Sequence, residues 1–380
     1  MKKIWIVLGM SLILALQMNF KDSKEEKKEE MKAVFISYME LREQLKNHEV
    51  SVSKKHIGEM IDNIKSLKLN TIILQVRYAG DAIYPSKLFP PSDCLTPENS
   101  SFDVLSYFLK EAHKKNMKLL AWINPYRIDT QEDLSKIGKD SIFYPFLNTD
   151  TLYVQNGVYL NPAKEEVTDL IVKGVKEVLT YPVDGILFDD YFYPSDDIDN
   201  QEYLEYQKTN KIDKKTFHLN NVSHMIKKVY KECHKKKIPF GVSPDGNIDN
   251  NYQKNYADVK RWMKEKGYID FIMPQIYYGF YNSTKAYAKT IKEWSSYIEN
   301  DIDLYIALAF YKVGRVDEYA QNGSYEWLEN SNIIMREIIL SRNLEHYQGF
   351  SLFRYDYIFE DDYYTENSLK ELENMKKIIA

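Results

Sequence analysis

A chain of 380 residues, 44% hydrophobic and 14% aromatic, can bury one large core or a few smaller ones. Its 51 basic and 56 acidic residues leave a net charge of −5, and no stretch combines clustered Lys and Arg with aromatics, so a nucleic-acid partner is excluded. Two cysteines, Cys94 and Cys233, are too few for a disulfide framework or a thiolate metal site and read as unrelated thiols.

In chain order, Lys2 and Lys3 precede an apolar run of 13 residues, 4–16, shorter than the ~20 needed to span a bilayer. Residues 1–20 therefore read as a signal peptide or N-terminal anchor, and 21–31 as a charged linker. The protein is expected to be exported, to the periplasm or cell envelope, with this apolar segment as a membrane tether if it is retained.

From residue 32 to 380 short apolar runs alternate with longer stretches of helical spacing. Strands are predicted at 33–38, 71–76, 119–124, 185–189, 240–243, 271–276, 305–310 and 349–354. Helices are predicted at 53–67, 102–115, 164–179, 215–236, 256–266, 284–298, 331–342 and 366–379. A strict β-then-α order means parallel strands with crossover helices, in a closed barrel or a long doubly wound sheet. No glycine-rich phosphate loop follows the first strand, which favours closure: an α/β fold, a single (β/α)8 TIM barrel in one domain. Segments 78–101 and 126–162 are long βα loops, the kind that builds barrel active sites.

The strand ends carry the chemistry. Asp184-Gly-Ile-Leu-Phe-Asp-Asp-Tyr-Phe-Tyr-Pro194 is an apolar strand ending in Asp189 and Asp190. Side chains alternate along a strand, so only one acid faces the barrel mouth, and Asp189 is assigned that place. Gly241-Val-Ser-Pro-Asp-Gly246 sets Asp245 opposite it, although the same residues spell a Pro-Asp-Gly turn. Gln75-Val-Arg-Tyr-Ala-Gly-Asp-Ala-Ile-Tyr-Pro-Ser86 offers Arg77 and Asp81, as ligand-binding groups or as a structural pair. Ala121-Trp-Ile-Asn-Pro-Tyr-Arg127 offers Asn124, Tyr126 and Arg127, with Trp122 readable as core. Met273-Pro-Gln-Ile-Tyr-Tyr278 adds Gln275, Tyr277 and Tyr278, and Phe350-Ser-Leu-Phe-Arg-Tyr-Asp356 adds Arg354 and Asp356. Convergence of polar groups from several strand ends is the argument for a site, and 31 tyrosines with 5 tryptophans suit sugar faces, though a Tyr-rich composition alone has the same effect.

Two carboxyls flanking a bond are what glycoside hydrolysis requires. Asp189 and Asp245 are accordingly the catalytic candidates, in roles that the sequence leaves interchangeable. Substrate contacts are expected from Arg77, Asp81, Asn124, Tyr126, Arg127, Asp190, Gln275, Tyr277, Tyr278 and Arg354. The 7 histidines show no ligand spacing, so neither metal nor cofactor is expected.

Taken in order, Val34-Phe-Ile-Ser-Tyr38, the Gln75 to Ser86 and Ala121 to Arg127 strings, Tyr159-Leu-Asn-Pro162 and the Asp184 to Pro194 string resemble the glycosyl hydrolase-like 10 family. That resemblance implies a barrel hydrolase of bacterial envelopes acting on polysaccharide, in some members on peptidoglycan glycan strands stripped of peptides. It maps the acid of the family's Asp-Gly-Ile-His-x-Asp pattern onto Asp189, with Leu187 in place of the polar residue. It also implies signal or lipoprotein sequences in many members, and no lipobox cysteine is present here. The rival reading is a catalytically silent sugar-binding protein on a hydrolase barrel, motivated by Leu187.

Overall fold

A computed structural model describes residues 28–97, 99–189 and 192–379. The proposed signal segment, most of the linker and Asp190 lie outside the described residues.

Twelve strands are present among the described residues: β1 (Met31–Ile36), β2 (Thr71–Arg77), β3 (Lys118–Ile123), β4 (Arg127–Asp129), β5 (Leu152–Val154), β6 (Val158–Leu160), β7 (Gly185–Phe188), β8 (Phe240–Val242), β9 (Phe271–Ile272), β10 (Gln275–Ile276), β11 (Asp303–Leu308) and β12 (Tyr347–Leu352). Nine of them join in the order β10-β11-β12-β1-β2-β3-β7-β8-β9, and β9 pairs with β11, so the sheet closes. Every pairing in it is parallel. The sixth stave was expected to be continuous and is split into β9 and β10. Pro274 has no N–H to donate, and the ladder resumes when Gln275 N donates to Pro244 O at 2.9 Å. With that stave counted once, the molecule is an eight-stranded parallel barrel with helices between the strands.

Alternation along the strands sorts side chains into two cores. Phe35, Ile73, Leu120, Trp122, Leu187 and Met273 are among the residues that fill the barrel interior. The opposite faces pack against the surrounding helices. Leu187 lies in the interior, one strand period below Asp189, and is fully buried. An apolar residue there extends the plug to the floor of the mouth.

Helix ends follow capping chemistry. Asp103 accepts from Ser106 N at 2.9 Å at the start of Val104–Lys114, and Asp213 from Thr216 N at 2.8 Å at the start of Lys214–Lys235. Beyond the predicted helices there are shorter ones, among them Tyr38–Leu45, Asn200–Gln207 and Ile248–Gln253. The loop expected over 126–162 is partly ordered as an antiparallel sheet, β4-β6-β5. Cys94 and Cys233 are free and buried. No described helix is long and apolar enough to cross a membrane.

Gly349 in β12 has φ +153°, and a Cβ added there would sit 2.2 Å from the Met31 carbonyl oxygen of the paired strand. Backbone cannot give way as a flexible side chain does. Gly349→Ala is expected to cost about 2 kcal/mol of stability, read as a lower urea midpoint with unchanged slope.

Candidate active site

At the C-terminal ends of the barrel strands lies a cavity of about 200 Å³, lined by Tyr38, Trp122, Arg127, Asp189, Gln275 and Tyr277 among others. Asp189 is the first residue past β7 and is only 6% exposed. Three side-chain N–H groups of described residues converge on it. Trp122 Nε1 and Asn124 Nδ2 donate to Oδ2 at 3.1 and 2.9 Å, and Gln275 Nε2 donates to Oδ1 at 3.3 Å. Behind them, Gln75 Nε2 donates to Asn124 Oδ1 at 2.7 Å, and Gln75 Oε1 accepts from Tyr38 N at 3.0 Å. Gln275 Nε2 also reaches the Ser243 carbonyl at 3.0 Å. The carboxylate is therefore held by groups from β3 and from the β10 stave, with β1, β2 and β8 supporting them. A buried polar group that is satisfied from several elements keeps one orientation.

The other expected residues divide. Asn124, Arg127, Gln275 and Tyr277 are brought together around Asp189. Arg127 Nε donates to the Tyr78 carbonyl at 2.9 Å, and Tyr277 packs against Phe353, ring centroids 5.7 Å apart. Asp81 lines a separate neighbouring cavity. Burial pushes its carboxyl up to about 6, and the charge of Asp93 acts in the same sense against the opposing Ser92 hydrogen bond and Arg77 charge.

Arg77, expected to bind sugar, does not reach the mouth. The register shifts between Gln75 and Arg77, and that bulge breaks the alternation. Its guanidinium lies 3.5 Å from the Phe89 ring centroid, and a Cβ on Gly174 of helix Glu165–Val178 would meet its Nη1 at 2.4 Å. It is a buried cation outside the barrel, and burial holds its pKa below the usual value. Tyr126, also expected at the site, is fully buried in the outer core instead, because the chain has left β3 before reaching it.

Asp245 forms an isolated bridge with Gln275 at the rim but does not line the Asp189 cavity. Its Oδ1 accepts from Asn247 N at 2.7 Å and its Oδ2 from Asn250 Nδ2 at 3.0 Å, an Asx turn at the start of helix Ile248–Gln253. Tyr278 turns with it, its hydroxyl 3.5 Å from Asp245 Oδ1.

Arg354 is next to the cavity but not in it. Its Nη1 donates to Ser37 Oγ at 3.0 Å, its Nη2 to Asp356 Oδ2 at 3.0 Å, and its Nε lies 3.3 Å from Glu40 Oε1. All four side chains are buried. Burial, together with the Glu40 charge, pushes Asp356 up to about 8, and burial likewise raises Glu40 against the pull of Arg354.

Gln75, Tyr38 and the donor role of Trp122 were not expected. The signal was present in the alternation, since Ile73 and Gln75 share a face, as do Leu120, Trp122 and Asn124.

The family model described as Glycosyl hydrolase-like 10 matches residues 30–325. The glycosyl hydrolase DigH of Escherichia coli strain K12 is 33% identical over 345 residues, covering 81% of this chain and 76% of its own. The glycosyl hydrolase YngK of Bacillus subtilis is 31% identical over 328 residues, 79% of this chain and 62% of its own. Among solved structures, the PgaB (BpsB) glycoside hydrolase domain of Bordetella bronchiseptica superposes with TM-score 0.55 at 11% identity, covering 93% of this chain and 99% of that one. An endo-1,4-beta-mannanase of Rhizomucor miehei gives 0.54 at 10% identity, with 93% and 96% covered, and at such identity both show the fold alone. The family match and the two relatives show that this chain belongs to the glycosyl hydrolase-like 10 family.

Proposed function

We propose that the protein is a glycoside hydrolase that cuts a bacterial envelope polysaccharide, with peptide-stripped peptidoglycan glycan strands as its substrate. The observation that carries the chemistry is Asp189, a buried carboxylate oriented by three N–H donors at the open end of a closed barrel. A carboxylate fixed in this way meets positive charge developing on an oxocarbenium-like sugar without having to reorganise. The wall rings of Tyr38, Trp122 and Tyr277 give a pyranose apolar faces, Arg127 supplies donors to its substituents, and Gln275, whose Nε2 is taken by Asp189 and Ser243, offers its Oε1 as an acceptor.

Asp245, half-buried at the rim, is proposed as the second carboxyl, acting at the leaving oxygen. Cleavage of a glycosidic bond is supported by the match to DigH and YngK, both glycosyl hydrolases of bacteria. We propose export by the N-terminal apolar segment as well, which would bring the protein to the compartment of such a glycan.

Mass analysis of products tests the substrate. Peptide-free strands should yield new reducing ends, and peptide-bearing sacculi far fewer. Equal yields from both, or cutting confined to storage polysaccharides, would refute the substrate reading. Among the described residues no three His, Cys, Asp or Glu side chains form a metal-holding group. Activity measured after dialysis against EDTA is therefore expected to equal that before it, and a loss restored by a divalent cation would count against carboxylate catalysis.

A further inference from the structure

Gln75, on β2, and Asn124, just past β3, stand between the start of a helix and Asp189. Tyr38 N is the first N–H of helix Tyr38–Leu45, one of the donors that a helix leaves without an internal partner. The capping box of Ser37 and Glu40 fixes that helix start. From there the hydrogen bonds run one way: Tyr38 N to Gln75 Oε1 at 3.0 Å, Gln75 Nε2 to Asn124 Oδ1 at 2.7 Å, and Asn124 Nδ2 to Asp189 Oδ2 at 2.9 Å. Gln75 pairs in register with Trp122, whose ring fills the barrel, so its side chain faces inward before the bulge that turns Arg77 away.

An amide side chain has a donor end and an acceptor end of nearly the same size, and each of these two fits its space either way round. The ends of the chain of bonds decide the sense. A backbone N–H only donates and a carboxylate only accepts, so Gln75 presents its oxygen to Tyr38 and its nitrogen to Asn124, and Asn124 presents its nitrogen to Asp189. Gln75 is 2% exposed and Asn124 is fully buried, so solvent does not replace either partner.

Resting on the reading of Asp189 as the catalytic carboxylate, we infer that Gln75 is a positioning residue that acts through Asn124, making it a donor to Asp189. Turned the other way, Asn124 would set its oxygen against Asp189 Oδ2. The carboxylate would lose a donor and gain a repulsion at the oxygen that also receives Trp122 Nε1.

The test is Gln75→Glu in the full chain. The introduced carboxylate still accepts from Tyr38 N but has no donor for Asn124, whose amide turns over. On peptide-free glycan strands kcat should fall about 30-fold, with KM within about twofold of the unmodified chain. Protonation returns an O–H donor to the introduced group, so the deficit against the unmodified chain at the same pH should shrink as the pH falls. An unchanged kcat, or a deficit that is constant with pH, would overturn the inference. Gln75→Met removes both ends of the amide without adding charge, and it decides alone if Gln75→Glu does not fold. In an Asn124→Ala background it should change kcat by less than about twofold, because the two residues act in series, whereas multiplying losses would mean that Gln75 does not act through Asn124. A reading without turnover is the indole N–H resonance of Trp122, assigned among the 5 tryptophans by Trp122→Phe. It shares Asp189 Oδ2 with Asn124, so Gln75→Glu should shift it at neutral pH and Gln75→Met should leave it in place once Asn124 is Ala. If the unmodified chain releases no reducing ends, the cleavage reading fails by itself. This resonance then decides the relay: a shift that needs Asn124 upholds it, and an unmoved resonance overturns it.

Discussion

Asp189→Asn is expected to lower kcat on peptide-free glycan strands by on the order of 10³-fold with little change in KM. The substitution is isosteric, so the amide oxygen can still accept from Trp122 Nε1 and Asn124 Nδ2, and the cavity keeps its shape. Negative charge is lost, and the amide nitrogen is turned toward Gln275 Nε2, one donor against another. An effect confined to kcat would place the loss in the transition state. A rise in KM at constant kcat would instead make Asp189 a ground-state binding group and move the catalytic role to another residue. Asp245→Asn, assayed beside it, is expected to lose on the order of 10²-fold, and activity equal to that of the unmodified chain would leave Asp245 as the turn former that its hydrogen bonds describe.

The largest stability effect is expected at Arg354. Its guanidinium stands between Glu40 and Asp356 in a buried cluster, and removing it leaves two carboxyls without their cation. Arg354→Met should cost about 3 to 5 kcal/mol, the range seen when one partner of a buried ion pair is deleted. Urea denaturation measures this, and replacing all three members together should recover most of the loss. The pH dependence has a definite sign. Asp356 at about 8, and Glu40 raised by burial, hold protons in the folded state that the unfolded chain, with carboxyls near ~4, has already released. Their contribution to stability is complete below ~4 and is lost as the pH rises toward about 8. Without Arg354 the two carboxyls resist ionising still more, so the variant should lose more stability at alkaline than at acidic pH. A loss independent of pH would mean that packing, not charge, is what Arg354 supplies.

Much of this molecule was legible in its residues. Period and composition located the staves of the barrel because each is short, apolar and bounded by turn residues, and alternation placed Asp189, Asn124, Gln275 and Tyr277 at one mouth. Sequence reasoning failed where the backbone departs from alternation. A bulge after Gln75 sends Arg77 outward, Pro274 splits a stave, and beyond Asn124 the chain leaves the strand and buries Tyr126. At Asp245 a local Asx turn competes with the cavity for the carboxylate. The helix Tyr38–Leu45 was missed although Ser37 and Glu40 spell a capping box, which the structure forms. Trp122 shows why a residue read as core need not be only core, for its ring fills the barrel while its one N–H meets the carboxylate.

The most direct test of the central claim is a time course of reducing-end release from peptide-free peptidoglycan glycan strands incubated with the full chain. Steady release that saturates with strand concentration is the predicted result. Strands that bind the protein but gain no reducing ends over the same period would contradict it and would leave a sugar-binding barrel.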